Sequence, residues 1–472
     1  MKLSRLYALL TVALPASEPK MQAMIWEEVR GLVDDRVDDG WFSVDRRAFT
    51  VQEVFDLEMR HVFEGGWVFL GMSSQLPNPH DYLTTTVGRV PVVVMRDGEG
   101  KLGAYVNACT HKGALICHKR TGNGRLHVCR YHSWSFDSAG RNVAVKAMKD
   151  GAYSDAFKAF DRNLVKLAAF ADYRGFLFGS LVETCSIEEH LGEARHMLDL
   201  AADQGEDGLE LVPGEVIFTY DGNWKLQLEN CADAYHFTSA HPSYLQLVEK
   251  RRREEKANSV KSVWGENSAW SEMTEGVTGG TYAFEEGHVV NWQIIPLSDT
   301  VPLADRAEIL AARHGEKRRD WMVNMRNVTI FPNMQIAENA SSQLRIIRPI
   351  APGLTEMRTF CIAPKGESAE ARRMRIRNYE DFFNPTGMAT PDDTICYADC
   401  QDGHANPMQP WILGYSRGMT SVQQGADEFA EVLDMTPARS QPCGSQLCDE
   451  TLFHSYYRAW LGRLKAGMER DA

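Results

Sequence analysis

The polar and apolar positions change rhythm twice along the chain. From about residue 85 to 182 short β-type runs dominate, including Val90 to Met95, Ala104 to Val106 and Phe176 to Phe178. Turn signals separate them, among them Asp97-Gly98 and Asn123-Gly124, so the stretch reads as a small antiparallel β unit. From about 186 to 275 helical periodicity takes over, and it predicts helices over Ile187 to Leu200 and Trp224 to Ala240. From about 280 to 365 strand patterns return at His288 to Ile295, Val328 to Phe331 and Leu344 to Ile347. Helices follow near Ser368 to Phe382, with Ser368 as N-cap, and at the C-terminus. There Leu452, Phe453, Tyr456, Tyr457, Trp460, Leu461 and Leu464 form an apolar stripe expected to pack on a core. The fold class expected is α+β.

Composition adds limits. The chain has 472 residues with 44% hydrophobic and 24% charged positions, the balance of an ordinary globular protein. Lys and Arg number 51 against 64 Asp and Glu, giving a net charge of −13. That excess of acid excludes the basic footprint of a nucleic-acid binder or a polybasic membrane anchor. Mean hydropathy is −0.35, and no run of about 18 apolar residues suggests a span. Ten cysteines in a chain of this size read as reduced thiols rather than a disulfide scaffold. Residues 1–20 weakly resemble an export signal, but Leu14-Pro15-Ala16 is a poor cleavage site and no twin arginine is present. The alternative is an over-extended start with the working N-terminus near Met21 or Met24; a cytoplasmic location is expected. Lys250 to Lys256 is mixed in sign and reads as a solvated face.

Two constellations carry chemistry. The first is Cys109-Thr-His111-Lys-Gly113, followed by Cys129-Arg-Tyr-His132-Ser-Trp134. Each half offers one thiolate and one imidazole, and Asn123-Gly124 could form a hairpin turn between them. Structural zinc sites usually pair like ligands. A Rieske [2Fe–2S] centre instead needs two Cys on one iron and two His on the other, which two mixed loops supply. Cys117, His118 and His127 complete no second pair. The second constellation is Glu229-x3-Asp233-x2-His236-x4-His241-Pro242. Asp233 and His236 would share a helix face. Pro242 pushes His241 out of the α region, so the helix is expected to end there and let the imidazoles converge. Two imidazoles and a distant carboxylate make the facial triad of non-haem Fe(II) oxygenases. Cys396, Cys400 and His404 align at i, i+4, i+8, but no fourth ligand is close. They, with Cys443 and Cys448, are expected to bind no metal.

Together the motifs resemble those of Rieske non-haem iron aromatic-ring-hydroxylating dioxygenases, large (α) subunit. Phe170 to Leu181 and Tyr220 to Gln227 look closest to the benzoate, toluate and anthranilate branch. The resemblance implies a Rieske domain plus a catalytic domain whose antiparallel sheet grips a long helix. It implies the boundaries 1–60, 61–183 and 184–472, the first segment packing partly on the catalytic domain. Cys109, His111, Cys129 and His132 would hold the cluster, and His236 and His241 would hold the mononuclear iron. The segment Phe383-Asn-Pro-Thr-Gly387 selects Asp393 as third ligand, with Asp392 nearly as good from sequence alone. Asp233 would orient His236 and reach a cluster histidine, His132, of a neighbouring subunit; Glu229 could support it. The activity implied is cis-dihydroxylation of a benzoate-like aromatic acid, with monooxygenation or O-demethylation as the alternative on the same scaffold. An electron-transfer module without oxygenase activity would leave the second motif idle. No Gly-x-Gly-x-x-Gly follows a strand, so electrons from NAD(P)H would come through a separate reductase, with or without a ferredoxin. A small β subunit in an α3β3 assembly is implied as well. Departures are Arg130 for a usual proline, Ser133 for a usual glycine, and Cys231 for the glycine of Asn-Gly-Ala.

Overall fold

The computed structural model describes residues 24–253, 278–295, 303–339, 341–443 and 449–472. Residues 1–20, the stretch 254–256 of the mixed-charge run, and Cys448 lie outside them.

The first β region forms three small sheets. A four-stranded sheet runs in the order Leu102–Val106, Val90–Arg96, Asp81–Val87, Thr121–Asn123. A three-stranded sheet holds Asn142–Ala144, Ser135–Asp137 and Leu126–Val128. The third joins Ala169–Tyr173 and Phe176–Ser180 to Val68–Met72. Asp97-Gly98 does turn between paired strands, with the Asp97 carboxylate accepting from the backbone of Glu99 and Lys101. Asn123-Gly124 does not make the expected hairpin. Thr121–Asn123 pairs with Asp81 to Leu83, whereas Leu126–Val128 pairs with Ser135 to Asp137. The chain there crosses from one sheet to another.

The larger unit is built on a nine-stranded antiparallel sheet. Its order is Leu209–Tyr220, Leu354–Pro364, Ser342–Ala351, Met334–Glu338, Met325–Ile330, Val289–Ile294, Thr278–Ala283, Arg439–Pro442, Gln423–Gln424. The edge strand Leu209–Tyr220 falls in the stretch that sequence periodicity assigned to helix. Pro213-Gly214 breaks its alternation, and the ladder shifts register between Leu211 and Glu215. The helix expected from Ile187 to Leu200 is interrupted at Gly192 into Ile187–Leu191 and Arg195–Ala202, whereas the one after Ser368 forms: Ser368 Oγ accepts from Ala371 N and caps Ala369–Phe382.

The sheet grips the helix Trp224–Ala232. Asn223 caps its start by accepting from Lys225 N. Gln335, on a central strand, donates to the carbonyls of Gln227 and Leu228, and Asn291 donates to that of Ala232. The helix does not continue to Ala240 as periodicity suggests; it stops at Asp233, whose backbone is extended. Behind it lies the 19-residue C-terminal helix Phe453–Asp471, with Phe453, Tyr456, Tyr457, Trp460 and Leu464 buried as the stripe predicts.

Buried polar links tie the regions together. Glu58, fully buried, accepts from Lys225 Nζ at 2.5 Å and from the indoles of Trp224 and Trp460, each at 2.9 Å. Asn333, in the turn between the large-sheet strands Met325–Ile330 and Met334–Glu338, exchanges two hydrogen bonds with the Phe69 backbone of the first β region. The first β region and the large sheet are thereby joined.

Candidate metal centres and the active-site pocket

The two Cys/His loops have the same backbone design. Cys109 N donates to Ala114 O and Gly113 N donates to Cys109 O, both at 2.8 Å. Cys129 N donates to Trp134 O at 2.8 Å, and Ser133 N to Cys129 O at 2.9 Å. The fourth residue after each cysteine takes a positive φ, 75° at Gly113 and 60° at Ser133. Ser133 therefore occupies a left-handed position that glycine fills without steric cost, which explains the glycine expected there.

The loops bring their ligand atoms together. The His111 and His132 rings lie 4.4 Å apart, and His111 stacks on Trp134 at 4.8 Å. The Nδ1 atoms of both histidines are buried without a hydrogen-bond partner. Buried orphans of this kind are costly unless something binds them. Cys109 and Cys129 are buried and unoxidised. Burial, with the adjacent Cys129 sulfur, raises the Cys109 thiol above its ordinary pKa; a metal ion would reverse that by stabilising the thiolate. Two free thiols and two orphaned imidazole nitrogens fit a [2Fe–2S] cluster. Cys117 and His127 have a structural part: they contact each other at 3.4 Å in the core beneath the loops. Asn107 fixes that loop by bonding the Cys117 backbone at both N and O. His118 is exposed.

The second centre forms where the gripped helix ends. Asp233 Oδ1 accepts from Tyr235 N at 2.7 Å, making a side-chain turn that starts the next segment. Its Oδ2 accepts from His236 Nδ1 at 3.1 Å. The pair meets through this break and not along one helical face. A single short helix, Phe237–Ala240, then leads to His241, whose φ of −112° and ψ of 37° leave the α region before Pro242. The imidazoles converge as expected, with ring centroids 5.3 Å apart.

Asp393 closes the set. It sits in the first turn of the helix Thr390–His404. Its Oδ1 lies 3.1 Å from His241 Nε2 and 3.5 Å from His236 Nε2. One ligand atom from each of His236, His241 and Asp393 lies within 4.8 Å of the others. Asp392, the competing candidate, faces the opposite nitrogen, His241 Nδ1, at 3.3 Å. Each histidine thus has one carboxylate on its outer nitrogen, Asp233 or Asp392, and shares Asp393 on the inner one. This is the carboxylate–histidine arrangement that orients metal ligands. Sequence reasoning weighed Asp392 only as a ligand and missed this role. It also missed Asn230, whose amide nitrogen donates to Asp393 Oδ1 and lies 3.2 Å from His236 Nε2.

The electrostatics call for a cation. Burial alone would depress His236, yet hydrogen bonds to Asp233 and Asp393 raise its pKa to about 10. Burial alone would raise Asp393, yet His236 and His241 hold it well below the usual carboxylate range. Two nitrogens and one carboxylate oxygen that together draw positive charge fit a mononuclear Fe(II) with open positions. Cys396 and Cys400 are exposed and His404 packs on Phe49, so these three converge on nothing. Cys443 Sγ bonds the Gln441 carbonyl.

A small, half-open pocket opens on the triad. Its walls include Ala234, Phe237, Ala337 and Phe382, with Cys231, Asn230 and Arg345 among the polar groups. Cys231, the departure from the glycine of Asn-Gly-Ala, lines it.

A fold of this kind, with a cluster-type loop pair and a pocket built on two histidines and one carboxylate, defines a Rieske-type oxygenase. Residues 193–440 match the family "Ring hydroxylating alpha subunit (catalytic domain)" and residues 66–166 match "Rieske [2Fe-2S] domain". The chain is 39% identical to toluate 1,2-dioxygenase subunit alpha of Pseudomonas putida, covering 94% of this chain and 95% of that one. It is 39% identical to the 2-halobenzoate 1,2-dioxygenase large subunit of Burkholderia cepacia, covering 94% of each. It is 37% identical to the anthranilate 1,2-dioxygenase large subunit of Acinetobacter baylyi, covering 95% of each. Among solved structures, a naphthalene 1,2-dioxygenase mutant bound to phenanthrene superposes with a TM-score of 0.76 at 25% identity, covering 93% of this chain and 96% of that one. The chain belongs to the ring-hydroxylating dioxygenase α subunits. It is an enzyme that uses a Rieske cluster, a mononuclear iron and electrons from a separate reductase.

Proposed function

We propose that this chain is the large subunit of a terminal oxygenase that converts a benzoate-like aromatic acid to a cis-diol. The observation that carries the reading is the convergence of His236, His241 and Asp393 within 4.8 Å at the mouth of a partly apolar pocket. The relatives named for toluate, halobenzoate and anthranilate support an aromatic acid as substrate.

In this reading Cys109, His111, Cys129 and His132 hold the cluster, and His236, His241 and Asp393 hold the iron. When bound, the cluster supplies single electrons and the iron supplies open positions for O2. The chain's own residues do the rest. Asp233 keeps the His236 Nδ1 proton at 3.1 Å, fixing the tautomer that leaves Nε2 free. Asp392 does the same for His241. The walls of Phe237 and Phe382 exclude water from the ring's position.

Asp233 is also the residue proposed to meet His132 of a neighbouring chain, which requires an oligomer. A three-fold assembly with a small β subunit, in the cytoplasm, fits that requirement. Among the described residues no helix is long and apolar enough to cross a membrane. The divisions 1–60, 61–183 and 184–472 belong to the same proposal; the strands between 61 and 183 pair only among themselves, while Trp41–Asp45 of the first segment pairs with Trp411–Ile412 of the last.

The test is product analysis with 18O2, the purified oxygenase and a reductase. Two labelled atoms in a diol of an aromatic acid are expected, with about three irons per chain. One labelled atom would favour a monooxygenase, and none in any aromatic acid would refute the proposal.

A further inference from the structure

The pocket contains one buried cation that the metal chemistry does not use. Arg345 is the only lysine or arginine among the described lining residues. It lies on the central strand Ser342–Ala351, opposite Gln335 on one neighbour and Thr359 on the other. Gln335 bonds the gripped helix, so this sheet face is the one turned toward the site. Arg345 is only 9% exposed.

Its orientation is fixed from behind. Nε donates to Gln343 Oε1 at 2.5 Å. The Gln343 amide donates to Asn384 Oδ1 at 3.3 Å, and the same oxygen accepts from Thr359 Oγ1 at 2.8 Å and Tyr379 OH at 3.3 Å. The Phe383 ring lies 5.5 Å from the guanidinium carbon. These contacts occupy Nε and one flat face. Among the described residues, neither terminal nitrogen has a hydrogen bond and no carboxylate pairs with the guanidinium. Nearby acids are engaged elsewhere: Asp393 by both histidines, Asp392 by His241 and Asp233 by His236.

A guanidinium keeps its proton at any working pH, so burial leaves a permanent charge in need of an anion. Its two terminal N–H groups match the two oxygens of a carboxylate. Apolar walls at Ala234, Phe237, Ala337 and Phe382 lie in the same pocket, so its lining offers contacts for both a flat apolar body and one carboxylate. We propose that Arg345 binds the substrate carboxylate and selects aromatic acids over neutral arenes. The proposal rests on the pocket being the oxygenase site. It assigns to one residue the recognition that the acidic chain as a whole cannot supply.

The experiment is calorimetric titration of the assembled, metal-loaded oxygenase with benzoate and with the neutral isostere benzamide. The wild-type protein is expected to prefer benzoate. Arg345→Gln is expected to lose benzoate affinity roughly 10- to 100-fold, while benzamide stays within about three-fold. Arg345→Lys keeps the charge but loses the fork, so an intermediate loss confined to benzoate is expected; it carries the test if the glutamine variant fails to assemble. Equal weakening of both ligands, or of neither, makes Arg345 a packing residue and overturns the proposal. Wild-type protein that binds benzamide as well as benzoate overturns it too. Calorimetry reads binding alone, whereas the 18O2 experiment reads oxygenation, so either idea can fail without the other.

Discussion

Replacing Glu229 by Gln offers a quantitative check on how the catalytic helix is held. Glu229 lies one turn before Asp233 on the gripped helix. Its Oε1 accepts from Tyr457 OH at 2.5 Å and from Tyr415 OH at 3.3 Å. Burial raises its pKa from 4.5 to about 7, against the opposing effect of the two hydroxyls and Lys225. Between those values the folded protein keeps a proton that the unfolded chain has released. Stability from this group is therefore complete below about pH 4.5 and is lost as pH rises through about 7. At 1.36 kcal/mol per pH unit, the shift corresponds to about 3 kcal/mol across that window. Glu229→Gln keeps an acceptor for both tyrosines and does not titrate. The assay is thermal unfolding of wild type and variant from pH 5 to 8 at a fixed scan rate. Groups common to both cancel in the difference. The wild-type midpoint is expected to fall relative to the variant by a few degrees, since about 1 kcal/mol moves a domain of roughly 150–250 residues by about 2–4 °C and a larger one by less. Parallel curves would refute the reasoning, because Glu229 would then titrate alike in both states.

Asp392→Asn should weaken iron retention about 10- to 100-fold, read as iron left after chelator dialysis, with the cluster spectrum unchanged; equal retention would remove Asp392 from the His241 network. Asp233→Ala should keep the reduced cluster's EPR signal but abolish turnover, and normal single-turnover oxidation of the cluster would count against the proposed wiring. His132→Ala should lose the Rieske-type signal itself. Glu58→Ala strands the buried Lys225 charge and two indole N–H groups, at a cost of about 3–5 kcal/mol; an unchanged denaturation midpoint would mean that Lys225 finds another partner.

The metal motifs were legible because each is local. Two residues of fixed type and spacing sit on one loop, and the loop geometry follows from a few backbone hydrogen bonds. What depended on distant packing was hidden. Asp392 and Asp393 are adjacent and chemically identical, but one step around a helix turns them to opposite nitrogens of His241. The contact of Asp233 with His236 was foreseen through helix periodicity, yet it is made by a break in the helix. The strand Leu209–Tyr220 was lost behind Pro213-Gly214. Arg345 gave no signal because Leu344 and Ile346, its neighbours in sequence, belong to the core on the other face; only the folded sheet shows that its side chain meets the pocket.

The matching cluster loops also bear on how this family's sequences can drift. At position 113 an added Cβ would meet nothing within 4 Å, and Ser133 is exposed. Room is not the constraint at either place; handedness of the backbone is. Substitution there is filtered by tolerance of positive φ, which admits glycine, asparagine and aspartate readily, serine at some cost, and β-branched residues hardly at all. Serine at 133 is thus a surviving compromise on one half of a duplicated design. A mutational scan of the two positions would record backbone geometry in the frequencies of its survivors, without reference to iron.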